Sequence, residues 1–156
     1  MRETALLLAA LLTQDPVYSG PQKDEKTPPF KALVLSGEDK GREIDFITEA
    51  KGAPSLIVFV HEVTRQAAQV LRSLDEAAAV RPGLKALFVL LSDDMNNVEQ
   101  RTPAMQNSLK FKTPWAVSPD GKEGPGAYGL NKVTTLTLLL AKDNRVLANW
   151  ALISPS

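Results

Sequence analysis

The sequence contains no cysteine. For the chain acting alone, that absence excludes disulfides, thiolate catalysis, iron–sulfur ligation and cysteine-bound zinc, although it does not identify a compartment. Histidine occurs once, at position 61, so any imidazole chemistry rests on that residue. Net charge is also missing: 18 Lys plus Arg balance 18 Asp plus Glu, and no basic run exceeds two residues. Bulk charge therefore gives no reason to expect nucleic acid or an acidic membrane as a partner. No glycine spacing matches a P-loop or dinucleotide fingerprint, and Lys122–Gly126 (KEGPG) reads as loop punctuation. The apolar run Ala5–Leu12 is far too short to span a bilayer as a helix.

What is present suffices for one domain with a real core: 156 residues, 44% apolar and 23% charged, with no internal repeat. Met1–Leu12 (MRETALLLAALL) suits the apolar region of a signal peptide, and Val17-Tyr18-Ser19 offers a small residue at a cleavage point. A cytoplasmic amphipathic start is the alternative, because the single Arg2 is offset by Glu3. Export to a periplasmic or secreted location is the preferred reading, with no membrane association in the mature form. On that reading residues 1–19 form a signal peptide and residues 20–29 (GPQKDEKTPP) a flexible lead-in, unlike the folded domain over 30–153.

Hydrophobic patterning orders the rest. Lys31–Leu35 and Arg42–Phe46 alternate around the turn SGEDKG and predict an N-terminal β-hairpin. Leu56–Val60 is a continuous apolar run, the pattern of a strand covered on both faces. Ala67, Val70, Leu71, Leu74, Ala77 and Ala78 then recur at helical spacing until Arg81-Pro82-Gly83 opposes continuation. Ala86–Leu91 is a second buried strand, for which a parallel crossover is expected. Thr102 reads as the N-cap, and Pro103 as the first residue, of a short second helix. Lys112–Ser118 predicts a short strand and Ala127–Asn131 a helical turn, while Thr134–Leu140 and Val146–Leu152 flank a closing hairpin turn. The class is α/β: a central mixed sheet flanked by helices, with an N-terminal β-hairpin extension.

Chemistry in such folds gathers where strand ends meet helix starts, here Val60-His61-Glu62-Val63-Thr64-Arg65-Gln66-Ala67. No strong nucleophile stands there. His61 could act as a base with Glu62 orienting it, but adjacent residues leaving a strand point to opposite sides. A metal site would need more carboxylates, with Asp93 and Asp94 the nearest candidates. Thr64 reads first as a helix cap, and Arg65 as an exposed cation able to hold an anion beside the helix amino end. No catalytic residue, metal ligand or cofactor is assigned. Trp115 and Trp150 read as core or sheet-face residues.

The order of these elements, with the words LVLSGEDKGREIDF, SLIVFVHEVTRQAAQVL, FVLLSDD, AVSPDG, AYGL and TLTLLLAKDNRVLANW, resembles the thioredoxin-like superfamily over residues 30–152. Within it, the likeness is to the redoxin and peroxiredoxin-like branch. The resemblance implies a Cys-x-x-Cys or Thr-x-x-Cys motif where the central strand gives way to the helix. Thr64-Arg65-Gln66-Ala67 occupies that place, so Thr64 and Ala67 are matched to thiol positions that hold no thiol. The cis-proline implied opposite is matched by Thr134, where a trans peptide is expected. The preferred functional expectation is a non-redox binding or scaffolding module whose surface is His61, Glu62, Thr64, Arg65 and Thr134, with an unknown protein or small ligand as partner. The alternatives are an enzyme using His61 with Glu62 or Asp93 in metal-assisted or hydrolytic chemistry, and a redoxin whose thiols come from a partner.

Overall fold

A computed structural model describes residues 17–153; the leader reading of residues 1–19 therefore falls mainly outside the described residues. The chain forms one seven-stranded mixed sheet in the order β2-β1-β5-β4-β3-β6-β7. Its strands are β1 (Lys31–Val34), β2 (Glu43–Asp45), β3 (Ser55–Val60), β4 (Lys85–Leu90), β5 (Trp115–Val117), β6 (Leu136–Lys142) and β7 (Arg145–Leu152). Among the described residues three α-helices accompany them: α1 (Phe46–Ala50), α2 (Arg65–Ala79) and α3 (Met95–Leu109).

The parallel centre is β3, β4 and β5, with Leu56 opposite Ala86 and Phe88 opposite Trp115. Antiparallel β6 adds to β3, and the hairpin β1–β2 adds to β5. Every residue of β3 is buried because both sheet faces are covered. Ile57 and Phe59 pack with Phe30, Phe46, Ile47 and Tyr128 on one side. Leu56, Val58 and Val60 pack with Ala67 and Leu71 of α2 and Val98 of α3 on the other. The closing turn places Asp143 and Asn144 at φ 54° and 60°, a conformation that short polar side chains tolerate and that suits a tight hairpin.

Three local expectations differ from the structure. Phe46 opens α1 and does not extend β2, because the Asp45 carboxylate accepts from the Thr48 amide at 3.2 Å and caps a helix there. The helix expected to start at Thr102 starts at Met95, capped by Asp94 on the Asn97 amide at 3.0 Å. Pro103 lies inside it, on an exposed turn where water can satisfy the carbonyl that proline leaves unbonded. The lead-in over residues 20–29 is fastened instead of flexible. Asp24 N donates to Val146 O at 2.8 Å, Thr27 N to Asn144 O at 3.0 Å, and the Asn149 side-chain amide donates to both Ser19 O and Pro21 O.

A buried carboxylate secures the approach to β5. Asp75 on α2 accepts from the Thr113 amide at 2.7 Å and the Lys112 amide at 3.2 Å. Asp75→Ala strands both donors, and we expect it to cost about 3 kcal/mol in urea unfolding. Asp75→Asn keeps an acceptor and is expected to lose less.

Candidate functional site

The loop from His61 to Thr64 leaves β3 at its carboxyl end and feeds α2. Thr64 is the N-cap, with extended backbone at φ −103° and ψ 171°, and its hydroxyl accepts from the Ala67 amide at 3.0 Å. That bond satisfies a helix-start amide, as the sequence predicts. Ala67, three positions on, is 2% exposed and faces the core. Arg65 is exposed, and its side chain makes no hydrogen bond or ion pair among the described residues.

The segment before β6 lies against this loop. His61 N and Glu62 N both donate to Thr135 O, at 2.9 and 3.4 Å. No cis peptide occurs among the described residues, so the bond before Thr134 is trans. Thr134 is only 3% exposed, and its hydroxyl donates to Asn131 O at 2.6 Å, so it supports the site from beneath and adds little to its surface.

The imidazole belongs to a hydroxyl network that links distant parts of the chain. His61 Nε2 lies 3.0 Å from Thr137 Oγ1, which lies 2.6 Å from Ser19 Oγ. Ser19 Oγ in turn accepts from the Asn131 amide at 3.0 Å. No motif marks Thr137 or Ser19 as a site residue, although Thr137 stands as a hydroxyl flanked by leucines in LTLLL. Ser19, read from sequence as the end of a leader, is integrated into the domain and 1% exposed. A base touching a hydroxyl has the outline of a nucleophile pair, but Thr137 is fully buried and offers no face to a substrate.

Glu62 makes no hydrogen bond with His61 among the described residues, but both line a cavity of about 280 Å³ between the loop and α3, together with Val63, Ser92, Asn97, Arg101 and Met105. The aspartates across the strand ends have other partners. Asp93 Oδ1 accepts from Lys122 N at 2.9 Å, and Asp94 caps α3. Among the described residues no group of three or more His, Asp or Glu side chains is gathered to hold a metal ion.

Burial lowers the His61 imidazole from its ordinary 6.5 to about 4. At neutral pH it is therefore uncharged. Between those two values the unfolded chain takes up a proton that the folded chain refuses, so stability present above pH 6.5 is lost as pH falls towards 4. His61→Gln is expected to remove that part of the pH dependence, amounting to at most about 2 kcal/mol because partial exposure lets solvent screen the charge. Thermal unfolding of both proteins between pH 4 and 7 measures the difference.

This architecture is a thioredoxin-like fold, here built without cysteine. Solved structures similar to the chain include a Bacteroides thetaiotaomicron protein proposed to be a protein disulfide isomerase, at 12% identity and TM-score 0.68 over 89% of this chain and 86% of that one. They also include a thiol peroxidase from Chromobacterium violaceum, at 19% identity and TM-score 0.60 over 88% and 80%. A third is the exposed lipoprotein thioredoxin Etrx1 of Streptococcus pneumoniae, at 17% identity and TM-score 0.61 over 82% and 92%. No protein-family model and no curated protein matches the sequence. Among the described residues no helix is long and apolar enough to cross a membrane.

Proposed function

We propose that the chain is a thioredoxin-like binding module that carries out no thiol chemistry of its own. The observation that carries this reading is the start of α2. The Thr64 hydroxyl is consumed in capping the Ala67 amide and Ala67 is a core residue, so the two positions that the resemblance matches to thiols offer neither a thiol nor a free nucleophile. What remains accessible is recognition chemistry: His61, uncharged at neutral pH, and the Glu62 carboxylate, which line a cavity with Arg101 and the apolar walls Val63 and Met105, and the exposed Arg65 guanidinium at the start of α2. Such a mixture suits an unidentified small ligand or a peptide segment of a partner protein. Export is part of the proposal, and the likeness to an exposed lipoprotein thioredoxin supports it.

A hydrolytic role for His61 is the competing reading, and it rests on the 3.0 Å contact with Thr137. The burial of that hydroxyl weighs against it. Amide NMR spectra recorded against a library of small fragments and tripeptides separate the possibilities. The binding reading expects responses at residues 61–66 and 97–105, weakened by Glu62→Gln or Arg65→Gln. Hits confined to other surfaces, or none at millimolar concentration, would remove this surface as the binding site.

A further inference from the structure

Residues 17–29 form a strap along the outer edge of β7, fastened at two ends. Towards Pro28 the fastening uses backbone: Asp24 N donates to Val146 O, Thr27 N to Asn144 O, and the Tyr128 hydroxyl to Pro28 O. Towards Val17 it is Ser19, whose hydroxyl enters the buried chain that ends on His61.

The hydrogens of that chain run in one direction. The Asn131 amide donates to Ser19 Oγ, and the Thr134 hydroxyl hydrogen is committed to Asn131 O. Ser19 then donates to Thr137 Oγ1 and Thr137 to His61 Nε2, which gives every hydroxyl hydrogen an acceptor. This order requires Nε2 without a proton. Once protonated, Nε2 donates to Thr137, and the Thr137 hydrogen has two places to go. It goes to Ser19 Oγ, leaving the Ser19 hydrogen buried with no acceptor, or to Thr134 Oγ1 across a longer contact of 3.3 Å. Both arrangements are poorer, and a charged imidazole also needs solvent. Thr137 and Ser19 are 0% and 1% exposed, so water that solvates Nε2 has to displace one of them. Thr137 is held within β6, whereas Ser19 lies outside the sheet.

We propose that protonation of His61 unlatches the Ser19 end of the strap, exposing Thr137 and freeing the Asn131 amide and the Asn149 side chain, while residues 24–28 stay fastened. The charged groups on neighbouring elements are Glu62 on the same loop, Arg65 at the start of α2, Arg101 on α3, and Lys132, which is paired with Glu123. Leu136–Leu139 of β6 and residues 17–22 carry no charge. Burial is what depresses the imidazole, consistent with a latch that works by excluding water. The device rests on the hydroxyl chain, so it stands whether or not the surface around His61 binds a ligand. On the export reading it requires any leader cut to fall before Ser19.

His61 is the only histidine, so its ring signals report a single titration. The test follows them by NMR in the full native chain and in Ser19→Ala, whose core amide shifts verify its fold. The native midpoint is expected at about 4, and that of Ser19→Ala about one unit higher, a tenfold gain in proton affinity. Hydrogen exchange, corrected for intrinsic rates, should show the reciprocal effect. Between pH 7 and 5 the opening constants at the Gly20 and Asn131 amides should rise by up to about twentyfold, without response to low urea. Asp24 and Thr27 should not follow, and His61→Gln should lack the rise. Equal midpoints in the two chains, no rise at Gly20 and Asn131, a rise that urea accelerates in step with the core amides, or the same rise in His61→Gln would overturn the proposal.

Discussion

Introducing Thr64→Cys and Ala67→Cys together is expected to turn a protein without thiol activity into one that reduces insulin in the presence of dithiothreitol. Position 64 is the N-cap and position 67 the third residue of α2. Helical spacing of three brings side-chain carbons to about 5–6 Å, within the reach of a disulfide after small adjustment. The helix amino end also favours a thiolate on the outer cysteine, while the inner one replaces a residue that is 2% exposed. Losing the threonine cap should cost about 1 kcal/mol, which a packed domain tolerates. Thiol titration should find the pair reduced in dithiothreitol and fully blocked after oxidation, and each single variant should lack turnover. A folded double variant that forms no internal disulfide would show that these positions are not the thiol seat.

Phe59→Ala is expected to be the most destabilising single truncation near the site, at about 3–5 kcal/mol. That is a large share of the about 5–15 kcal/mol typical of a domain. Phe59 is fully buried in β3, two residues before His61, with its ring 5.6 Å from Phe30 and 5.3 Å from Tyr128. Phe30 closes the lead-in, and the Tyr128 hydroxyl donates to Pro28 O at 2.7 Å. The cavity would therefore loosen the N-terminal segment as well as the core. Phe59→Leu, nearer in volume, should lose far less. Urea midpoints at unchanged slope measure both, and a loss below about 1 kcal/mol for alanine would contradict the packing described.

The parts of this structure that sequence could anticipate are those encoded locally. Thr64 announces α2 because a cap acts across three residues, and the apolar run Leu56–Val60 announces a strand buried on both faces. The closing hairpin is equally local, since Asp143 and Asn144 tolerate the positive φ of its turn. The parallel pairing of β3 with β4 was legible, but the hydrogen bonds that fasten the N-terminal segment to distant residues were not. The bond between Ser19 and Thr137 joins residues 118 apart, and nothing in GPQKDEKTPP foretells that it will lie along β7. Composition described that segment as loose, but the edge of β7 supplied its partners. Pro103 misled for a related reason: a proline usually marks a helix start, but Asp94 had already supplied the stronger cap. The candidate site divides the same way, with the order His61, Glu62, Thr64, Arg65 read from sequence and the sealing of Thr134 visible only once β6 is in place.

The central claim is that this thioredoxin-like fold acts by recognition and not by thiol turnover, and one side-by-side assay tests it most directly. Purified native protein and the Thr64→Cys/Ala67→Cys variant are each given insulin with dithiothreitol and, separately, hydrogen peroxide with the same thiol donor. The native chain is expected to match the protein-free blank in both, while the variant exceeds it with insulin. Reduction of insulin or consumption of peroxide by the native protein above the blank would contradict the account.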